Sequence, residues 1–127
     1  MARIVLDSSV VIALLMDTDQ HHGAVFDATL KQHQYVISAI TLSEALISPF
    51  RTSRKAGERV RHVIESSMHQ IIDIDMDIAI RAAQIRADKN LKMPDALISA
   101  TATNTKAQLW TCDRALAKAH EGSLLIA

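Results

Sequence analysis

Residues 3–15 have the sequence Arg-Ile-Val-Leu-Asp-Ser-Ser-Val-Val-Ile-Ala-Leu-Leu, in which a short apolar run ends at Asp7 and a helical pattern follows. The run is apolar at successive positions instead of alternating with polar ones, which is typical of a strand buried on both faces. Similar short runs recur along the chain and alternate with longer helical patterns. This alternation predicts βαβ units, whose right-handed crossovers build a parallel sheet covered by helices.

The same analysis divides the chain into strands and helices of one α/β domain that spans residues 1–127. The predicted strands are Arg3–Leu6, Gln34–Ser38, Gln70–Ile74, Gln108–Thr111 and Ser123–Ile126. The predicted helices are Ser8–Leu15, His21–Lys31, Thr41–Ile47, Ser53–Met68, Asp77–Lys89, Pro94–Asn104 and Asp113–Ala119. A length of 127 residues suits one hydrophobic core.

Composition excludes several classes of protein. The single cysteine, Cys112, excludes a disulfide scaffold, and an aromatic content of 3% argues against single-strand binding on stacked rings. Basic and acidic residues balance at 14 each, so any contact with nucleic acid must come from a local patch. The apolar N-terminal run is interrupted by Asp7 and is too short to span a bilayer. We therefore expect a soluble, cytoplasmic protein without a membrane partner.

Four acidic residues stand near the ends of predicted strands. Asp7 directly follows the first strand, Glu44 opens the helix after the second, and Asp113 follows the fourth. Asp95 stands at the start of a helix, directly after Pro94. Because ligands of parallel α/β folds bind outside the carboxyl ends of the strands, we expect these carboxylates to converge.

Each of these acids also has a structural explanation. Asp7 and Asp113 can cap helices, Thr41 and Glu44 fit a capping box, and Asp95 suits the first turn of a helix, where the dipole favours a negative charge. Converging carboxylates repel one another, and a cation normally resolves that repulsion. Oxygen ligands without a cysteine or histidine cluster favour Mg²⁺ or Mn²⁺ over zinc.

Four stretches together resemble the PIN-domain nucleases. They are Asp7-Ser-Ser, Glu44 after a strand, Met93-Pro-Asp95-Ala-Leu-Ile-Ser-Ala-Thr-Ala102 and Leu109-Trp-Thr-Cys-Asp113. Within that family the similarity is greatest to the VapC-type toxins of bacterial and archaeal toxin–antitoxin pairs, and it covers nearly the whole chain. The resemblance implies a three-layer α/β/α sandwich and an endoribonuclease that depends on Mg²⁺ or Mn²⁺. It also implies RNA as the substrate, a cognate antitoxin as a partner and a homodimer.

The resemblance also assigns roles to individual residues. Asp7 and Asp95 would be the principal metal ligands, and Asp113 and Glu44 would complete the site directly or through water. Three further residues stand where small polar residues of the family orient ligands or water: Ser8, Ser9 and Thr111. Two departures, Leu116 where many relatives have phenylalanine and Ser8 where many have threonine, leave the acidic set intact.

A basic segment, residues 51–62, stands out in this neutral chain because it carries five Lys/Arg against the single acid Glu58. The segment is either a solvated helix face, or an arm or helical hairpin that contacts RNA phosphates. Contacts to phosphates position RNA without reading its sequence. The candidate contacts are Arg51, Arg54, Lys55 and Arg59.

Alternatives remain within the family. A stand-alone PIN-type RNA-processing nuclease and a PIN-like domain that binds RNA or protein without cutting both fit the sequence. Two other folds with acidic sites fit poorly. A phosphoacceptor receiver domain needs a lysine that the last predicted strand lacks, and a haloacid-dehalogenase-type phosphatase needs an acid where Ser9 stands.

Overall fold

The computed structural model describes residues 2–127. In chain order its elements are β1 (Arg3–Leu6), α1 (Ser8–Leu15), α2 (His22–Ala28), β2 (Gln34–Ser38), α3 (Ala39–Thr52), α4 (Arg54–Ser67), β3 (Gln70–Ile72), α5 (Met76–Lys89), α6 (Met93–Asn104), β4 (Gln108–Thr111), α7 (Arg114–Ala119) and β5 (Leu124–Leu125). Strands and helices alternate in the order that the hydrophobic pattern predicts.

Within the described residues, the strands form one parallel sheet in the order β3-β2-β1-β4-β5. The central strand β1 pairs with β2 on one side, where Val5 lies opposite Val36. On its other side β1 pairs with β4, where Leu6 lies opposite Trp110. Because the strands are parallel, the segments that follow β1, β2 and β4 all leave the sheet at the same edge.

Helices cover both faces of this sheet. Ile4 and Leu6 of β1 pack with apolar residues of α1, α2, α3 and α4. Val5, which points to the opposite face, packs with residues of α5, α6 and α7. Full burial of such an aliphatic side chain contributes about 1.5–3 kcal/mol. The two clusters confirm the predicted three-layer α/β/α sandwich and explain why the strands are apolar at successive positions.

Helix α3 is longer than predicted. It begins at Ala39 instead of Thr41, because Ser38 caps it by accepting a hydrogen bond from the Ile40 N–H at 3.2 Å. It also continues through Pro49 to Thr52. The predicted capping box of Thr41 and Glu44 is therefore wrong, and both residues lie inside the helix.

Other boundaries shift by a few residues. Helix α2 ends at Ala28 rather than Lys31, and the Thr29 hydroxyl donates to the Val25 carbonyl at 3.0 Å there. Strand β3 ends at Ile72 instead of Ile74, since Asp75 caps α5 by accepting from a backbone N–H. Strand β5 keeps only Leu124–Leu125 of its predicted span. No helix in residues 2–127 has the length and apolar character needed to cross a membrane.

Candidate active site

Asp7 lies at the carboxyl end of the central strand, with only 3% of its surface exposed. Its Oδ1 caps α1 by accepting from the Val10 N–H at 3.0 Å and also accepts from the Ser9 hydroxyl at 2.6 Å. Its Oδ2 accepts a hydrogen bond from the Thr111 hydroxyl. The capping explanation is therefore correct for Oδ1. Both oxygens of the carboxylate nevertheless accept hydrogen bonds, whereas a helix cap needs only one of them. The orientation of Asp7 is therefore fixed more firmly than capping alone requires.

The turn after β4 brings Asp113 to the same place. The Asp113 N–H donates to the Thr111 hydroxyl at 2.9 Å, and the Cys112 N–H donates to the Ser9 hydroxyl at 3.0 Å. The two hydroxyls that bind Asp7 thus also fix the backbone that carries Asp113. Asp113 Oδ1 caps α7, accepting from the Ala115 N–H at 2.8 Å, as predicted.

Glu44 reaches the site from α3, on the other side of β1. Its Oε1 accepts a hydrogen bond from the Ser8 hydroxyl at 2.5 Å. Ser8 Oγ also lies 3.3 Å from the hydroxyl of Thr41, which is fully buried. Sequence analysis missed the role of Thr41, although its spacing from Glu44 was visible. Residues three apart lie on one face of a helix, but the sequence analysis interprets this spacing as a capping box.

Asp95 lies in the first turn of α6, where the N-cap residue Lys92 makes no side-chain cap. Burial raises the pKa of the Asp95 carboxyl, and the nearby negative charges of Asp113, Asp7 and Glu44 raise it further. Burial also raises the pKa of Asp7, against the lowering effect of its hydrogen bonds, and Asp113 adds to that rise. Like charges act in this way only at short range. The four predicted acids therefore lie at one edge of the sheet, with Asp7, Glu44 and Asp113 within electrostatic range of Asp95.

No basic side chain neutralises this cluster by an ion pair within residues 2–127. The ion pairs found there join Asp19 to His21, and Arg61 to both Glu58 and Glu65. In the same part of the chain, no three acidic, histidine or cysteine side chains are arranged as ready metal ligands. The donor atoms fit a hard divalent cation by their chemistry, because they are carboxylate oxygens. Binding one would require the carboxylates to draw closer together.

Cys112 lies beside this cluster but is a poor nucleophile. Burial raises the pKa of its thiol to about 11, and the charges of Asp7 and Asp19 contribute to the rise. The thiol is therefore protonated at neutral pH, and the reactive form of cysteine is the thiolate.

The basic segment forms a helical hairpin from the end of α3 and the first half of α4, with Ser53 capping α4. The hairpin packs closely, since a Cβ atom added to Gly57 would lie 2.0 Å from the Phe50 ring. The candidate RNA contacts are exposed on it: Arg51, Arg54, Lys55 and Arg59. In contrast, Arg61 pairs with Glu58 at 3.0 Å and Glu65 at 2.9 Å.

An apolar groove of about 350 Å³ runs between α1 and this hairpin. Glu44 is its one charged lining residue among those described, so the groove adjoins the acidic cluster. No pattern in the sequence indicates the groove, because its walls come from segments far apart in the chain.

Comparison with known proteins gives a consistent result. The family model of the PIN domain matches residues 4–122. A toxin–antitoxin complex from Klebsiella pneumoniae is similar in structure, with a TM-score of 0.81, 27% identity and 98% of each chain covered. FitAcB from Neisseria gonorrhoeae has a TM-score of 0.77 at 22% identity and 96% coverage of each chain. VapC20 from Mycobacterium tuberculosis, a sarcin–ricin loop cleaving toxin, has a TM-score of 0.76 at 19% identity, covering 91% of this chain and 94% of that one. A search of curated protein sequences finds no match.

Proposed function

The chain belongs to the PIN domain family, and we propose that it is the toxin of a toxin–antitoxin pair, an endoribonuclease that depends on Mg²⁺ or Mn²⁺. The observation that carries this proposal is that three further carboxylates raise the pKa of Asp95, and that none of the four acids forms an ion pair within residues 2–127. Such a cluster is costly without a counter-charge. Structural roles account for Asp7 and Asp113 as helix caps and for Asp95 in the first turn of α6, but not for Glu44, which lies inside α3.

Asp7 and Asp95 would hold the cation, and Glu44 and Asp113 would complete its surroundings. When bound, Mg²⁺ or Mn²⁺ supplies an activated water and neutralises negative charge at the phosphate. The protein's own contribution is to hold the acids in place. Ser9 and Thr111 do so for Asp7, because each hydroxyl donates to one of its oxygens and accepts from the turn that carries Asp113.

The helical hairpin would bind the RNA backbone. Arg51, Arg54, Lys55 and Arg59 are exposed and, within the described residues, form no ion pair. Phosphate contacts of this kind position nucleic acid without specifying its sequence. They would provide local affinity in a protein whose formal net charge is zero.

The cognate antitoxin would inhibit by reaching the acidic cluster with a basic side chain. An arginine suits this role, because its planar fork can engage carboxylates with two hydrogen bonds. The groove beside Glu44 offers an apolar surface for the rest of such a peptide. The similarity to a toxin–antitoxin complex at 27% identity supports this partner.

We also infer a homodimer. The second helix and the segment after it leave two large apolar side chains without cover, Phe26 at 50% and Leu30 at 67% exposure. Exposed apolar surface of this kind favours association with another protein.

Expression in bacterial cells tests the toxin assignment. The parent should arrest growth and produce new RNA ends, and the Asp95→Asn variant should do neither. Co-expression of the cognate antitoxin should restore growth and yield a complex. A parent that leaves growth unchanged and cleaves RNA when purified would favour the stand-alone RNA-processing nuclease. A parent that binds RNA or protein without cleaving would favour the non-catalytic alternative.

A further inference from the structure

A polar cavity of about 270 Å³ lies between α5, α6 and α7. These helices cover the face of the sheet opposite the helical hairpin. A cavity needs only about 10–15 Å³ to hold one water, so a polyatomic anion fits here. The charged side chains that line the cavity are Arg81, Lys89 and Glu121. The four acids of the candidate active site are not among its lining residues, so the two sites are separate.

Two basic side chains are held at this cavity by contacts between helices. Lys89 Nζ, at the end of α5, donates to the Ala119 carbonyl at the end of α7 at 2.7 Å. Arg81 Nε donates to Asn104 Oδ1, at the end of α6, at 3.4 Å. Each cationic group has further N–H donors, and neither forms an ion pair within residues 2–127. Their charges and remaining donors are therefore available to a ligand.

His120, directly after α7, supplies a third donor because Ser99 orients its ring. Ser99 is buried, with 4% of its surface exposed, and its Oγ lies 2.6 Å from His120 Nδ1. Burial and the positive charge of Lys89 lower the pKa of His120, so the ring is neutral at neutral pH. The Ser99 hydroxyl has no other acceptor in residues 2–127 and therefore donates to Nδ1. The ring proton then lies on Nε2, which has no partner in the same range.

We propose that this cavity binds a phosphate group through Arg81, Lys89 and the His120 Nε2–H. Arginine and lysine form short, strong hydrogen bonds with phosphate oxygens. A tetrahedral phosphate accepts such bonds from several directions, which suits donors that come from α5 and from the end of α7. Glu121 is the one acid that lines the cavity among the described residues, so the lining has a net positive charge.

The phosphate group comes from one of two sources, a free phosphate ion or the backbone of an RNA. The second source rests on the proposed ribonuclease function, whereas the first is independent of it. In either case the site would bind phosphate without a metal ion, because its donors are basic side chains and an imidazole N–H.

NMR titration with inorganic phosphate, in EDTA and at constant ionic strength, tests the site. Phosphate should shift the ring signals of His120, assigned with the His120→Gln variant, and leave those of the exposed His69 in place. Arg81→Gln and Lys89→Gln should each weaken phosphate binding by about two- to fivefold, the size typical of an exposed charge pair. Acetate should bind more weakly than phosphate.

Lys118→Gln is the matched control. Lys118 is an exposed base on α7 that is not among the residues lining the cavity, so its replacement should leave phosphate binding unchanged. Phosphate that does not move the His120 signals, or a loss in Lys118→Gln equal to that in the cavity variants, would overturn the proposal. Acetate that binds as tightly as phosphate would overturn the assignment to phosphate.

A short RNA added to the same proteins in EDTA distinguishes the two sources. If the site takes an RNA phosphate, the RNA should shift the His120 signals, and the Arg81→Gln and Lys89→Gln variants should bind it more weakly. RNA that leaves these signals in place while inorganic phosphate moves them would assign the site to a free phosphate. These titrations contain no divalent metal and measure no cleavage, so their failure leaves the proposed nuclease function standing. Loss of the nuclease proposal likewise leaves the binding of inorganic phosphate as a separate result.

Discussion

Replacing Asp95 by asparagine distinguishes a helix-start residue from a member of a metal site. If Asp95 only begins α6, Asp95→Asn loses a dipole interaction, and the metal-free protein becomes less stable by about 0.3–1 kcal/mol. The structure predicts a different result, because Asp113, Asp7 and Glu44 all act on the carboxyl. In water, two like charges about 4 Å apart repel by about 1 kcal/mol, and more distant pairs repel less. Relief from three such repulsions therefore offsets the lost dipole interaction. The metal-free variant should match the parent or exceed it by up to about 1 kcal/mol, about 4 °C in melting temperature.

The pH dependence has a definite sign. Because the folded-state pKa of Asp95 is raised above 3.8, ionisation of this carboxyl disfavours the folded state. This destabilisation of the folded state is absent well below pH 3.8 and grows as the pH rises from 3.8 through the raised pKa of Asp95. The stability advantage of Asp95→Asn should therefore be small in acid and larger at neutral pH. A metal ion reverses the comparison, since it stabilises the parent by about 2.7 kcal/mol at 100 times its Kd and the variant much less.

The assay is thermal unfolding of parent and variant, with and without Mn²⁺, over a range of pH. A variant that is less stable than the parent without metal, and that gains as much from Mn²⁺, would refute the reasoning. Asp95→Glu is a useful control, because it keeps the charge and should not relieve the repulsion.

Three further predictions concern the hairpin, the Asp7 support and the partner. Replacing Arg51, Arg54 and Lys55 by glutamine should weaken RNA binding and flatten its salt dependence. The control Arg61→Gln removes a residue that is paired with Glu58 and Glu65, so it should change the salt slope less. Equal slopes for the triple variant and the parent would contradict a role of the hairpin in RNA binding. Thr111→Val should destabilise the protein by about 1.5–3 kcal/mol in urea unfolding, because it removes a hydrogen bond to a buried carboxylate. Thr111→Ser should recover most of the loss. An unchanged midpoint of urea unfolding for Thr111→Val would show that the hydroxyl does not support Asp7. A synthetic arginine-containing peptide from the antitoxin should compete with Mn²⁺ in calorimetry, and replacing its arginine by alanine should abolish competition. Competition that survives this replacement would exclude the proposed contact with the carboxylates.

Much of the fold follows from local sequence. Runs such as Ile4-Val5-Leu6 are apolar at successive positions because β1 is buried on both faces, and that pattern is visible without a structure. The positions of Asp7 and Asp113 follow equally well, since Asp7 directly follows β1 and Asp113 follows β4 after one intervening residue. The order of the strands was not predicted, because the pairing of distant segments leaves no local pattern.

The environment of Glu44 shows where sequence analysis failed. The residues Thr41-Leu-Ser-Glu44 fit a capping box in sequence, but Ser38 begins the helix and displaces both residues into its interior. The predicted helix ended at Ile47, whereas α3 continues through Pro49 to Thr52. Packing between α1 and α3 decides that Ser38 caps the helix and that Glu44 contacts Ser8. Such tertiary packing is not visible in the local sequence.

The most direct test of the central claim is cleavage of RNA by the purified protein as a function of divalent metal. We expect the parent to cleave RNA when Mg²⁺ or Mn²⁺ is present and to stop when EDTA removes it, with Zn²⁺ or Ca²⁺ giving little activity. Asp95→Asn should reduce cleavage to background while its thermal unfolding shows an intact fold. Cleavage that persists in EDTA, or that Asp95→Asn retains in full, would contradict a metal-dependent nuclease built on these four carboxylates.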